Sequence, residues 1–178
     1  LEEQYDAKVI LFNWDSKAWF LDRDRPLGNI PAAAKSFSII LDQIQKYLKN
    51  SHDKKMTLLA HSMGAIVIQK YINSYGWKYN EKIFNNVLLS SPDADNKNHK
   101  GWVDKIAAVE KVYITINKND IVLSLSFDAR ENGNRALGKK PLAPFSQLAT
   151  YLDLTRLGKK IGRKMRTHDI FNKNSMRD

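Results

Sequence analysis

The stretch MTLLAHSMG at residues 56–64 decides the fold, because it joins an apolar run directly to a turn of small residues. Residues 56–60 (MTLLA) have the composition of a short buried strand. A helical pattern of apolar side chains then runs from Met63 to about Tyr75. The sequence therefore predicts a strand, a tight turn and a helix, with Ser62 at the turn.

This arrangement is typical of a nucleophile elbow, with alanine in place of the usual first glycine. So tight a turn requires small residues two positions before and two after the serine, and Ala60 and Gly64 meet that requirement. The Ser62 hydroxyl would stand above the sheet edge, and the backbone N–H of Met63 would point to a developing oxyanion. Ser62 could instead only cap the helix, but the strand–turn–helix setting favours the elbow.

Short apolar runs and helical patterns alternate on both sides of this turn. Further strands are predicted over residues 8–14, 86–90, 112–116 and 151–154, helices over 33–48 and 102–109, and a loop over 26–31. The strands are continuous apolar runs, which is typical of a parallel sheet covered on both faces. The predicted fold is of the α/β class, a three-layer α/β/α sandwich with a mostly parallel sheet.

The amino-acid composition excludes several kinds of functional site. The 178 residues fit one domain, and the absence of cysteine excludes disulfides, thiolate zinc sites and a cysteine nucleophile. The four histidines show no HExxH spacing, so we expect no metal and no cofactor. No apolar run approaches the roughly 18 residues of a membrane span. The net charge of +10 indicates either an anionic partner or a well-solvated surface.

A serine hydroxyl needs a base and an acid, which in this architecture follow the serine in the order acid, histidine. His168 follows the last predicted strand and is the expected base, whereas His99 lies in a polar stretch and is predicted to be on the surface. Two acids follow strand ends, Asp120 and Asp93. We favour Asp120, since it follows the strand two beyond that of Ser62, and Asp93 remains the alternative.

Several motifs occur in order along the chain. They are FNWDS at residues 12–16, AHSMG at 60–64, VLLSSPD at 87–93, NDIVLSLS at 119–126, RALG at 135–138 and HDIF at 168–171. Together they resemble the alpha/beta-hydrolase superfamily, and more narrowly a bacterial branch known only as a domain of unknown function. The resemblance implies a lipase- or esterase-like site with Ser62, Asp120 and His168 as its triad, and it implies no particular substrate.

The resemblance also has gaps. Asp15 stands where the family usually has proline, and nothing before Lys8 matches the family's preceding strand, whose His-Gly turn supplies a second oxyanion N–H. We expect one domain over residues 1–178 that lacks N-terminal strands, the missing segment belonging to the same gene product or to another chain. Alternatively, residues 8–14 are that strand and the backbone of residues 13–17 forms the oxyanion loop.

The sequence therefore favours a serine hydrolase of small-molecule or lipid esters. The alternative is a non-catalytic binding module whose basic surface meets an anionic membrane or protein. Residues 156–178 carry eight Lys or Arg against two Asp, and Leu157, Ile161 and Met165 recur among them at helical spacing. No nucleic-acid recognition motif accompanies the positive charge, so nucleic acid is not an expected partner.

Overall fold

The structure, a computed structural model, describes residues 7–16, 24–49, 56–78, 83–128, 136–160 and His168. The elements of these ranges are α1 (Asp24–Lys49), β1 (Thr57–His61), α2 (Gly64–Tyr75), β2 (Asn86–Ser90), α3 (His99–Val103), β3 (Lys111–Ile116), α4 (Ile121–Asp128), β4 (Ala149–Asp153) and α5 (Thr155–Lys160). Helices and strands alternate through the described ranges, which confirms the predicted alternation around Ser62.

The four described strands form one parallel sheet in the order β1-β2-β3-β4. The register is unbroken at the end of β1, where His61 pairs with Ser90. Because all four strands run the same way, their carboxyl ends lie at one edge of the sheet, where open α/β sheets bind ligands. The predicted strand at residues 86–90 is thereby placed beside the strand that precedes Ser62, and the predicted strand at residues 112–116 lies next to it on the far side.

One face of the sheet carries the core. Its fully buried side chains include Val87, Leu89, Val112 and Ile114. Helices α1 and α2 pack on each other and α2 contacts β1, and the buried side chains of both helices join those of the strands in one core cluster. Phe37 of α1 meets Tyr71 of α2 edge to face, with ring centroids 5.4 Å apart. This architecture confirms the predicted α/β class with a parallel sheet and agrees with a three-layer α/β/α sandwich.

The predicted strand at residues 8–14 is wrong, because residues 7–16 contain no strand. Val9, Ile10 and Leu11 are exposed, and this segment meets the core through the ring of Phe12, whose centroid lies 5.5 Å from that of Phe37. A strand needs a hydrogen-bonding neighbour, and no described residue pairs with the outer edge of β1. The apolar sequence alone therefore does not make this segment a strand.

The predicted loop at residues 26–31 is also wrong, because these residues lie inside α1. Pro26 falls in the first turn, where backbone N–H groups have no helical partner to lose. Pro31 lies further in and cannot donate a hydrogen bond to the Leu27 carbonyl. Leu27 and Pro31 are both exposed, so water can reach this part of the helix. Among the described helices, none combines the length and apolar character that crossing a membrane requires.

Two leucines on neighbouring strands allow a matched test of the core face. Leu89 is fully buried, whereas Leu59 of β1 is on the opposite face and 51% exposed. We expect Leu89→Ala to lower the free energy of unfolding by about 3 kcal/mol, since it leaves a cavity. Leu59→Ala should lower it by about 1 kcal/mol or less. Urea unfolding measures both, and equal losses would contradict this assignment of the faces.

Candidate active site

Ser62 occupies the turn between β1 and α2. Its φ of 52° lies in the left-handed region, which costs a non-glycine residue about 1–2 kcal/mol. Surrounding hydrogen bonds hold it there, since Ser62 N–H donates to Ser90 O at 3.0 Å and Ala65 N–H donates to Ser62 O at 3.1 Å. Strained backbone of this kind persists where neighbouring structure over-determines it, and it concentrates at functional sites.

The small residues Ala60 and Gly64 lie opposite each other at the turn that carries Ser62. A Cβ placed on Gly64 would lie 3.9 Å from the Cβ of Ala60, an ordinary van der Waals contact. Alanine therefore fits at residue 60 opposite Gly64, and the turn does not need a glycine at both positions.

Asp120 lies in the turn that joins β3 to α4 and is fully buried. Its Oδ1 accepts a hydrogen bond from Leu123 N–H at 3.0 Å, which caps the start of α4. Its own N–H donates to Asn117 O at 3.1 Å. The turn thus directs the carboxylate inward and leaves Oδ2 for another partner.

Residues at the end of β4 bind Lys118, which lies in the turn that carries Asp120. Lys118 N–H donates to the Thr155 hydroxyl at 3.1 Å, and the Lys118 ammonium lies 3.1 Å from Asp153 Oδ2. Hydrogen bonds from the Thr155 hydroxyl and N–H, with a smaller contribution from Lys118, hold the pKa of Asp153 below its usual value. The carboxylate of Asp153 is therefore charged at neutral pH and keeps the Lys118 side chain at the end of β4.

His168 connects Ser62 to Asp120. Its Nε2 lies 2.9 Å from Ser62 Oγ, and its Nδ1 lies 2.8 Å from Asp120 Oδ2. Since a carboxylate only accepts, Nδ1–H donates to Asp120, and the neutral ring then accepts at Nε2 from the Ser62 hydroxyl. The structure thus brings His168 together with Ser62, 106 positions earlier in the chain, and with Asp120, 48 positions earlier. The imidazole is only 12% exposed.

Asp93, the alternative acid, is placed differently. It is buried near the elbow, and its backbone N–H donates to Ser62 O at 3.0 Å. The carboxylate at the His168 ring belongs to Asp120. Asp93 therefore supports the turn through its main chain.

The prediction that His99 lies on the surface is wrong, since its side chain is 1% exposed. Its Nδ1–H donates to Asn96 O at 2.9 Å, and its Nε2 accepts from the Tyr151 hydroxyl at 2.7 Å. Both ring nitrogens are satisfied inside the fold, which the polar residues around His99 in sequence do not reveal. Within the described ranges, no three His, Asp or Glu side chains are grouped as metal ligands would be.

Met63 follows Ser62 and is the N-cap residue of α2. None of the described residues accepts a hydrogen bond from its backbone N–H. The proposed oxyanion loop at residues 13–17 is described up to Ser16. Ser16 N–H donates to Trp14 O at 2.7 Å, and the Asn29 side chain donates to Asp15 O at 3.1 Å. These contacts fold the segment onto itself and onto α1.

Sequence patterns indicate no role for Ser91, yet its hydroxyl donates to the main-chain carbonyl of His168 at 3.0 Å. His61 lies 3.2 Å from the same oxygen through Nε2. The one available signal was position, since both residues stand at the carboxyl ends of adjacent strands. The basic segment predicted over residues 156–178 lies outside the described residues apart from its first five positions and His168.

The chain matches the family model of an alpha/beta hydrolase of unknown function (DUF900) over residues 2–157. The protein is thus an alpha/beta hydrolase by fold, and it belongs to this family. The match includes Ser62 and Asp120 and ends before His168. No match was found among curated proteins or among solved structures.

Gly138 fixes the loop that carries Ser91 and Pro92. Its N–H donates to Pro92 O at 2.9 Å, and its carbonyl accepts from Asn117 N–H at 2.8 Å, so it ties the end of β2 to the Asp120 turn. A Cβ at this position would lie 2.7 Å from the ring nitrogen of Pro92. Such a distance forces the backbone to move.

We expect Gly138→Ala to lower the free energy of unfolding by about 1–3 kcal/mol, because the added methyl group overlaps main-chain atoms. The matched control is Gly28→Ala, since Gly28 lies in α1 with open space around it. That substitution should raise stability by about 0.5–1 kcal/mol. Chemical denaturation measures both, and a neutral Gly138→Ala would contradict the close approach to Pro92.

Proposed function

We propose that this protein is a serine hydrolase that cleaves carboxylic esters through an acyl-enzyme. The observation that carries the proposal is the hydrogen-bonded series Ser62, His168 and Asp120, with distances of 2.9 and 2.8 Å between neighbours. Membership of an alpha/beta hydrolase family supports the same class of chemistry. The substrate class is a small-molecule or lipid ester.

Acylation would begin at Ser62 Oγ. His168 Nε2 accepts the hydroxyl proton while the oxygen attacks the ester carbonyl, and the resulting imidazolium then protonates the departing alkoxide. Asp120 holds the ring in the tautomer that leaves Nε2 free to accept, and its charge stabilises the imidazolium. Burial of Asp120 strengthens that interaction, because little water screens it.

The tetrahedral intermediate carries its negative charge on the former carbonyl oxygen. The Met63 N–H would donate to that oxygen, since it lies next to Ser62 at the start of α2 and has no acceptor among the described residues. The partial positive charge of the helix terminus adds to this stabilisation. In deacylation, water loses its proton to His168 as it attacks the acyl-enzyme, and the imidazolium returns that proton to Ser62 Oγ as the carboxylic acid leaves.

The nucleophile is tested with a fluorophosphonate probe, which reacts with activated serines. We expect stoichiometric labelling at Ser62, located by mass spectrometry, and no labelling of Ser62→Ala. The matched control is Ser38→Ala, which removes a buried serine of α1 and should label as the wild type does. If the probe labels a control esterase but leaves Ser62 of the wild type unlabelled, the proposal is wrong.

The acid is tested by two matched substitutions of buried aspartates. We expect Asp120→Asn to lower kcat for a chromogenic ester by roughly 10³–10⁴-fold, because an amide at this position favours the wrong tautomer of His168. Asp93→Asn should cost less than about tenfold, since its contact with Ser62 is made through the backbone. Thermal melts establish that both variants fold. A greater loss for Asp93→Asn than for Asp120→Asn would refute the assignment.

A further inference from the structure

The main-chain carbonyl of His168 accepts hydrogen bonds from the ends of two strands. The Ser91 hydroxyl, just after β2, donates from 3.0 Å, and His61, the last residue of β1, lies 3.2 Å away through Nε2. Because a carbonyl oxygen only accepts, the proton is on Nε2 of His61. The two lone pairs of this oxygen are therefore both engaged.

Ser91 is held in the conformation that this contact requires. The φ of Ser91 is 42°, which lies in the left-handed region, and Ser91 is only 5% exposed. Its backbone N–H donates to the Thr115 hydroxyl of β3 at 2.8 Å, which anchors the strained residue to the neighbouring strand. Strain stored in a buried polar residue beside an active site calls for a functional reason. The contact with His168 supplies one.

His61 reaches the same oxygen from the solvent side. Its ring lies beside that of His168, with centroids 4.9 Å apart and planes inclined by 57°. Neutral and protonated imidazole both carry a proton on Nε2 in this arrangement. The hydrogen bond to the His168 carbonyl is therefore available in either state.

We propose that Ser91 and His61 form a carbonyl clamp, which positions His168 without touching the reacting atoms; this inference rests on the proposed function. Both ring nitrogens of His168 are occupied by Ser62 and Asp120. The ring can satisfy both partners at once only if its main chain is held in place. Displacement of a reacting group by about 1 Å can cost 10²-fold in rate.

The clamp makes a specific kinetic prediction. Ser91→Ala and His61→Leu should each lower kcat roughly three- to tenfold, the equivalent of one hydrogen bond, with KM within about twofold of the wild type. Each single variant leaves the carbonyl one donor. The double variant leaves none, so its loss should exceed the product of the two single losses.

Two further variants separate positioning from stability. His61→Gln places an amide N–H near the position of Nε2 and should recover most of the activity that His61→Leu loses. Ser91→Gly also removes the hydroxyl, but glycine adopts positive φ without strain. It should therefore be more stable than Ser91→Ala while losing as much kcat. Recovery of activity together with stability in Ser91→Gly would show that only strain mattered and would overturn the clamp.

A readout independent of hydrolysis distinguishes the clamp from the proposed function. Diethyl pyrocarbonate modifies accessible imidazoles, and single-hit rates at His168 can be followed by mass spectrometry. We expect the rate to rise at least threefold in both single variants and further in the double variant, while the buried His99 stays unreactive and Ser38→Ala matches the wild type.

The outcomes divide cleanly. Faster modification of His168 in a protein that neither labels with fluorophosphonate nor hydrolyses esters would support the clamp and overturn the proposed function. An unchanged modification rate in the double variant would overturn the clamp, whatever the activity. An unchanged kcat of that variant in an active enzyme would overturn it equally. His61 is exposed, so His61→Leu remains a test even if substitutions at Ser91 unfold the protein.

Discussion

The parallel pairing of β1, β2 and β3 is the constraint on which the site depends. In-register pairing places His61 beside Ser90, so the turns after the first two strands emerge side by side. The Asp120 turn follows β3 at the same edge. Ser62 N–H extends the ladder to Ser90 O, and Asp93 N–H returns to Ser62 O. Backbone hydrogen bonds alone therefore bring the elbow and its neighbouring turns together.

His168 comes to this edge from the far end of the chain and is held in two ways. Its ring lies between Ser62 and Asp120, and its carbonyl lies between Ser91 and His61. A residue fixed through both side chain and main chain has little freedom left, which favours preorganised chemistry. The two left-handed serines at this edge, at residues 62 and 91, show where the fold accepts backbone strain.

Local sequence predicted those elements whose residue pattern fits only one kind of secondary structure. The strand at residues 86–90 was predicted to the residue, and those of β1 and β3 within one residue, because short apolar runs between polar turns have few alternatives. Helix α4 was missed, since IVLSLSFD is apolar nearly all round and lacks a helical period. The strand predicted at residues 8–14 failed because pairing depends on a neighbour that no local pattern specifies.

What the sequence determined by itself was the parallel α/β class and the tight turn at Ser62 between a strand and a helix, because periodicity and small-residue spacing are local properties. Only the tertiary structure decided that Asp120 rather than Asp93 faces His168, that His99 is buried, and that Ser91 holds the His168 carbonyl. These relations join residues dozens of positions apart. They arise from strand register and packing, in which a side chain's neighbours in space are not its neighbours in the chain.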